Sequence, residues 1–315
     1  MERPLFQNLA ASNAIPDHGF VVGAVYNRRT DIHGRFGGQV QYGISTPRDH
    51  PYVFLFTAVG GLRHGYFDQY ADDGTFHYYG EGQVGDMRME RGNKEIRDHQ
   101  KNGKKLLVFL GLGGGLYRFL GEFVYASCYI DPENVDRQGQ VRNAIVFRLQ
   151  PVQDEFSEED LIPVLPPDDL VGGTQREAIV TIRTKQALFR RRVATLERAC
   201  RLTGVMDLRF LRASHIKPWA ESTDKERINA HNGLLLTPSA DLLFDHGWIS
   251  FRDDGKLIVA DKLPTEVQEK LGLDLRRGKD CGTFTEQQAS FLEHHRDCIL
   301  GHRERQDLLA ARLLD

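Results

Sequence analysis

Between Pro151 and Asp169 the chain sets Asp154, Glu155, Glu158, Glu159, Asp168 and Asp169 among Pro151, Pro163, Pro166 and Pro167. Proline has no amide hydrogen for a helix or an inner strand, and like charges resist burial, so this stretch cannot join a core. It reads as a linker. It divides the 315 residues into parts of different texture, a length that already favours two cores over one. The expected division is 1–150, 151–173 and 174–315.

The first part is strand-patterned. Short apolar or β-branched runs occur at Phe20–Tyr26, Tyr52–Thr57, Lys105–Leu110, Gly121–Cys128 and Asn143–Leu149. Turn clusters such as Asp72-Asp73-Gly74 and Lys101-Asn102-Gly103 separate them. One helix is predicted near Lys94–Gln100. Many strands with little helix suit a curled or barrel-like sheet.

The second part opens with a helix predicted over Thr174–Cys200. Ile179, Ile182, Phe189, Val193 and Leu196 recur on one face. Arg176, Arg183, Lys185, Arg190, Arg191, Arg192 and Arg198 fill the others. Such a basic surface suits either a phosphate track or a solvated face balanced by the acidic linker. A hairpin is predicted from Trp248 to Val259 around Asp253-Asp254-Gly255. A final helix is expected from Thr285, with Thr283 and Glu286 at capping-box spacing. Its apolar positions, Phe291, Ile299 and Leu308 to Leu314, suit packing.

Composition narrows the function. A net charge of −3 excludes a generally basic nucleic-acid coat but not local patches. No apolar run reaches the length of a membrane span, and Met1–Asn8 lacks the pattern of a signal peptide. Cys128, Cys200, Cys281 and Cys298 are too scattered for a zinc ribbon or a disulfide framework. A cytoplasmic protein with no membrane partner is expected.

The chemistry gathers in Ala213-Ser214-His215-Ile216-Lys217-Pro218-Trp219, Asn232-Gly233-Leu234-Leu235-Leu236 and Asp241-Leu242-Leu243-Phe244-Asp245. Cutting a phosphodiester requires a base for water, positive charge for the phosphorane and support for the leaving oxygen. His215 on a short strand ending at Pro218 supplies the first. Asp241 and Asp245, four apart on a predicted helix, share one face and repel unless a cation neutralises them. Asn232-Gly233 is a turn signal.

This constellation resembles the HNH endonucleases, from Cys200-Arg201-Leu202-Thr203-Gly204 through Ile249-Ser250-Phe251. The resemblance implies a ββα-metal fold with flanking helices. It makes His215 the general base, Asn232 the structural middle Asn, Asp241 the principal metal ligand and Asp245 a second. Two positions depart from the pattern. Ser214 stands where many members place an Asp or His ligand, and Asp241 replaces the last His or Asn. All-oxygen ligation points to Mg²⁺ or Mn²⁺ rather than Zn²⁺. Lys217 and Arg190 are candidate DNA-backbone contacts.

In the first part, Gly65-Tyr66-Phe67-Asp68-Gln69-Tyr70 leads into Asp72-Asp73-Gly74-Thr75-Phe76-His77-Tyr78-Tyr79-Gly80-Glu81-Gly82, then Gly85-Asp86 and Gly92-Asn93. Aromatics mixed with carboxylates and glycines suit a pocket for a flipped base, or an aromatic barrel core with glycine turns. The order of these residues is similar to the SRA (YDG) domains, which flip modified cytosine out of DNA. That resemblance implies an SRA/PUA-like barrel over Phe20–Leu149. Tyr79 and either Tyr66 or Phe67 would be stacking walls, and Asp68, or else Asp72 or Asp73, would read the base edge. Tyr42-Gly43-Ile44 would line the DNA approach. Arg88, Arg91 and Lys94 head a basic run for phosphate contacts.

The sequence thus predicts an α+β protein, an N-terminal mostly-β reader followed by an HNH nuclease. The expected substrate is double-stranded DNA carrying a modified cytosine, most simply 5-methylcytosine, cut by a homodimer. The alternatives are a non-catalytic reader, and a nuclease triggered by hydroxymethylcytosine, phosphorothioate linkages or sequence.

Overall fold

The computed structural model describes residues 17–57, 68–152 and 173–301, and only the backbone of 173–180. Its N-terminal half holds strands β1 (Val25–Asn27), β2 (Ile44–Ser45), β3 (Tyr52–Thr57), β4 (Gln69–Tyr70), β5 (Phe76–Tyr79), β6 (Lys105–Gly113), β7 (Leu116–Val135) and β8 (Val141–Pro151). They form one sheet in the order β2-β3-β6-β7-β8-β5-β4, with β1 added on β7. Only β3 and β6 run parallel among the paired strands. The helix α1 (Arg91–Asp98) lies in the crossover between them.

The unbroken apolar run of β3 has a simple cause: both its faces are covered. Val53 and Leu55 enter one core cluster with Leu106 and Val108, whereas Tyr52, Phe54 and Phe56 enter another with Leu107 and Phe109. Period-two alternation divides each strand between two cores. Register shifts in the β6–β7 and β7–β8 ladders bend the sheet. The pairing ends at β2 and β4, and the curl brings the chain beside β2 up to β5. A Cβ on Gly43, beside β2, would stand 3.1 Å from the Tyr78 hydroxyl of β5.

The C-terminal half begins with α2 (Gly173–Leu196). Next come β9 (Arg212–His215), α3 (Asp224–Arg227), β10 (Gly233–Leu236) and α4 (Pro238–Asp245). The hairpin β11 (Ile249–Phe251) and β12 (Leu257–Val259), α5 (Thr265–Lys270) and α6 (Glu286–His294) complete it. β9 pairs antiparallel with β10, and α4 follows directly, giving ββα order. Pro238 sits in the first turn of α4, where its missing amide costs nothing. One core holds Phe189, Val193, Ile216, Leu234–Leu236, Phe244, Phe251 and Leu292.

Several expectations change. Phe20–Tyr26 is strand only from Val25, because Gly23 takes φ 81° and turns the chain. The segment Gly121–Cys128 is the middle of the much longer β7. The last helix is capped by Thr285 and Gln288, not Thr283 and Glu286. Residues 153–172 of the expected linker and Leu308–Leu314 lie outside the described residues. No helix among the described residues is long and apolar enough to cross a membrane.

From Leu188 to Ala194 the helix α2 is a packed seam rather than a phosphate track or a solvated face. Leu188 belongs to the N-terminal core and the neighbouring Phe189 to the C-terminal one. Arg118 of β7, fully buried, donates to Ala194 O at 2.7 Å, Glu197 O at 3.2 Å, Arg198 O at 2.7 Å and Met206 O at 2.7 Å. A cation from one half thus satisfies the carbonyls at and just beyond the C-terminus of the other half's first helix.

Candidate active site and base pocket

Strand β9 carries His215 at its end, opposite Gly233 of β10. Its ring stacks on Phe189 of α2, centroids 3.6 Å apart and 10° from parallel, and Trp219 meets it edge-on at 5.5 Å. Nε2 lies 3.1 Å from the carbonyl oxygen of Arg227. A carbonyl only accepts, so Nε2 carries the proton and Nδ1 keeps the lone pair. Burial lowers the His215 pKa to about 4, against a weaker upward pull from the Arg227 carbonyl. The ring is therefore neutral at physiological pH, as a base must be.

Asn232 is fully buried. Its Oδ1 accepts the Lys217 amide at 2.8 Å, and its Nδ2 donates toward Lys217 O, Ser222 Oγ and Glu226 O at 3.3 Å each. The Ile216 amide donates to Asn232 O at 2.9 Å. The side chain staples the end of β9 to the turn after α3. Gly233 is required beside it, since a Cβ there would stand 2.7 Å from Phe189 Cζ.

Asp241, in the first turn of α4, is 16% exposed and pairs with Arg212 Nη1 at 3.3 Å. Arg212 and Ser214 share one face of β9 by alternation, whereas Ala213 and His215 share the other. Ser214 is buried and Asp245 is exposed. The structure thus joins His215 and Asn232 in one network and leaves Asp241 beside a cation on the opposite face. His215 hydrogen-bonds, among the described residues, to the Arg227 carbonyl, and Asp241 pairs with Arg212. Among the described residues no three His, Cys, Asp or Glu side chains form a metal-holding group. Asp241, paired with Arg212, is thus a single carboxylate that could offer a hard divalent ion one oxygen, the remaining positions being left to water and substrate.

The two backbone contacts expected in this half fare differently from those of the other. Arg190 is buried, with Nη2 on Leu208 O at 3.0 Å, so it is no phosphate contact. Arg190 to Arg192 are buried or half-buried because both sides of the helix are packed there. Lys217 is engaged by Glu226 at 3.0 Å. Arg88, Arg91 and Lys94 are exposed, with no ion pair among the described residues. Arg91 has φ 48°, the only positive value at a non-glycine residue among those described.

A cavity of about 1290 Å³ opens beside β2 and β5, lined by Tyr42, Asp68, Tyr78, Tyr79, Arg88 and Arg91 among others. Asp68 Oδ1 accepts the Tyr79 amide at 2.8 Å. Burial raises the Asp68 pKa to about 7, with that amide opposing. Asp72 and Asp73 are committed elsewhere. Asp72 pairs with Arg192, and Asp73 with Arg148 and Thr75, whose hydroxyl and amide lower its pKa to about 2. Tyr79 donates to Asp131 Oδ2 at 2.9 Å. Tyr66 and Phe67 lie outside the described residues. Tyr78, which sequence reasoning passed over, lines the same cavity. Asn93 holds the floor, accepting the Glu81 amide and donating to Glu81 O and Arg88 O.

A family model described as a ScoMcrA-like SRA domain matches residues 22–165, and one described as an HNH endonuclease matches residues 200–252. No curated protein matches the chain. Among solved structures it is similar to the sulfur binding domain and SRA domain of ScoMcrA complexed with phosphorothioated DNA, at 21% identity over 51% of this chain and 45% of that one, TM-score 0.35. It is also similar to the Type IV phosphorothioation-dependent restriction endonuclease ScoMcrA, at 16% identity over 88% and 55%, TM-score 0.36. A third is the modification-dependent TagI restriction endonuclease, at 18% identity over 90% and 94%, TM-score 0.32. The chain spans about half the length of the first two. With the two family models following one another along a single chain, the protein carries a ScoMcrA-like SRA domain followed by an HNH endonuclease domain.

Proposed function

We propose that this protein is a modification-dependent DNA endonuclease whose N-terminal pocket receives a flipped, modified cytosine, most simply 5-methylcytosine, and whose C-terminal half cuts nearby. The observation that carries the reading is the Asp68 carboxyl, held with a pKa of about 7 in a tyrosine-lined cavity. A carboxyl poised there serves as acceptor for the exocyclic amine and, when protonated, as donor to the ring nitrogen of cytosine. Tyr79 stacks on the base, with Tyr66 or Phe67 as the opposite wall. Arg88, Arg91 and Lys94 hold the phosphates at the pocket mouth.

In the nuclease half, Arg227 O fixes the His215 tautomer and Nδ1 takes the proton of the attacking water. Asn232 keeps that carbonyl's turn against β9. Asp241 and Ser214, with Asp245 one turn on, would hold Mg²⁺ or Mn²⁺. The ion when bound supplies charge neutralisation and support for the leaving 3′ oxygen. One such site cuts one strand, so a double-strand break calls for a homodimer or two binding events.

The test is digestion of one plasmid in unmodified, 5-methylcytosine, hydroxymethylcytosine and phosphorothioate states, with Mg²⁺ and Mn²⁺ compared. Cleavage confined to methylated plasmid, and lost in His215→Ala with binding kept, is the expected result. Equal cleavage of all four would overturn the pocket's role. An active His215→Ala would overturn the base.

A further inference from the structure

We propose that Arg192 is a positioning residue for cleavage, holding the turn that orients His215 to the hairpin that frames the base pocket. The inference rests on the function proposed above.

Its guanidinium touches both halves of the protein. Toward the N-terminal half, Nε and Nη2 donate to Tyr70 O at 3.3 and 3.2 Å, and Nη2 pairs with Asp72 Oδ1 at 2.6 Å. Tyr70 is the last residue of β4, two residues beyond Asp68. Toward the C-terminal half, Nη1 donates to Ile228 O at 3.1 Å. Three successive carbonyls end α3, and each is held from a different place. Glu226 O accepts Asn232 Nδ2, Arg227 O accepts His215 Nε2, and Ile228 O accepts Arg192. One helix turn back along α2, Phe189 stacks on the His215 ring itself. The group that fixes the tautomer of the base is thus one peptide unit from a group bonded to the reader's edge strand.

Arg192 is 17% exposed, and its fork is planar. It reaches acceptors on two sides at once, which a lysine ammonium cannot reproduce with one point charge. A shift of β4 and its turn as a base enters the pocket moves Tyr70 O and Asp72. The guanidinium carries that shift to residues 226–228 and hence to His215. This is a physical link between two sites through one side chain, with no need for a longer pathway.

The full-length protein with Arg192→Lys, Arg192→Ala or Asp72→Asn tests it. Affinity for a methylated duplex is measured without divalent metal, single-turnover cleavage at saturating DNA with Mn²⁺, and amide exchange over 226–232. The expected result for Arg192→Lys is affinity within about threefold of the parent, a cleavage rate down roughly tenfold or more, and faster exchange in 226–232. Asp72→Asn, which loosens only the N-terminal anchor, shows the same pattern more weakly. An unchanged rate in Arg192→Lys overturns the proposal. So does an equal loss of affinity and rate, which would make Arg192 a support of the pocket alone. If Arg192→Ala does not fold, the other two variants decide. A parent that cuts methylated and unmodified duplexes alike refutes the reading of the pocket but leaves the Arg192 comparison to be read on either duplex. A parent that cuts neither refutes both.

Discussion

Replacing Arg118 by leucine tests whether the two halves are held as one body. The guanidinium donates four hydrogen bonds to carbonyls at and beyond the end of α2, three of them at 2.7 Å. Charge-assisted bonds contribute about 1.5–3 kcal/mol each, which would suggest roughly 6–12 kcal/mol in sum. Burial opposes this. It lowers the Arg118 pKa from 12.5 to about 10, a cost of roughly 3 kcal/mol at about 1.36 kcal/mol per unit. Leucine would leave those carbonyls without a donor in a site closed to water. A buried acceptor left without its donor costs about 1–3 kcal/mol, so stranding these carbonyls, less the desolvation recovered, should cost roughly 3–5 kcal/mol. At about 2–4 °C per kcal/mol for a protein of this size, the midpoint should fall by roughly 10 °C. Scanning calorimetry provides the assay. The parent should melt in one endotherm, and Arg118→Leu at lower temperature with a second transition resolved. Arg118→Lys, with three donors on one point, should fall between. An Arg118→Leu protein as stable as the parent, still melting in one step, would refute the reasoning, because desolvation would then cancel the bonds.

Gly233→Ala should destabilise by about 1–3 kcal/mol, since its Cβ meets Phe189; cleavage should fall with DNA affinity intact, and an active variant of normal stability would count against the stacking role. Asn232→Ala strands the half-buried Lys217 amide and should cost about 1–3 kcal/mol; Asn232→Asp keeps that acceptor but sets a carboxylate among carbonyls, so at pH 8 its urea midpoint should be no higher than that of Asn232→Ala. Asp68 binds a proton more readily folded, near pH 7, than unfolded, near pH 3.8. Its contribution is therefore fully present below pH 3.8 and is lost as pH rises through 7. Asp68→Asn should consequently gain on the parent between pH 4.5 and 7.5 by at most about 1.4 kcal/mol per pH unit; urea midpoints that differ by the same amount at both pH values would exclude it. Burial gives His295, like His215, a pKa of about 4. Each stays neutral in the fold while the unfolded chain protonates near 6.5, so their contribution is lost as pH falls from about 6.5 toward 4, and His295→Phe should flatten that acid limb in thermal melts.

Short-range pattern was enough for part of this protein. The ββα order of β9, β10 and α4 was implied by the resemblance of the His215, Asn232 and Asp241 motifs to the HNH endonucleases, while the short strand at His215 and the helix carrying Asp241 and Asp245 were legible from local spacing. The apolar run of β3 marked a strand, but not that its alternate residues serve two cores. That depends on what covers each face. The same holds for the basic face of α2. Charge on a helix reads as solvent contact until a second half packs on it, and then Arg190 and Arg192 bond carbonyls supplied by distant segments. Asp68, Asp72 and Asp73 are near-equivalent in sequence. Tertiary packing separates them, among the described residues, by giving Arg192 to Asp72, Arg148 to Asp73 and the Tyr79 amide to Asp68. What the sequence determined was which groups of this protein are capable of chemistry. Which of them are free to perform it was decided only by the fold, because burial and partners come from residues far along the chain.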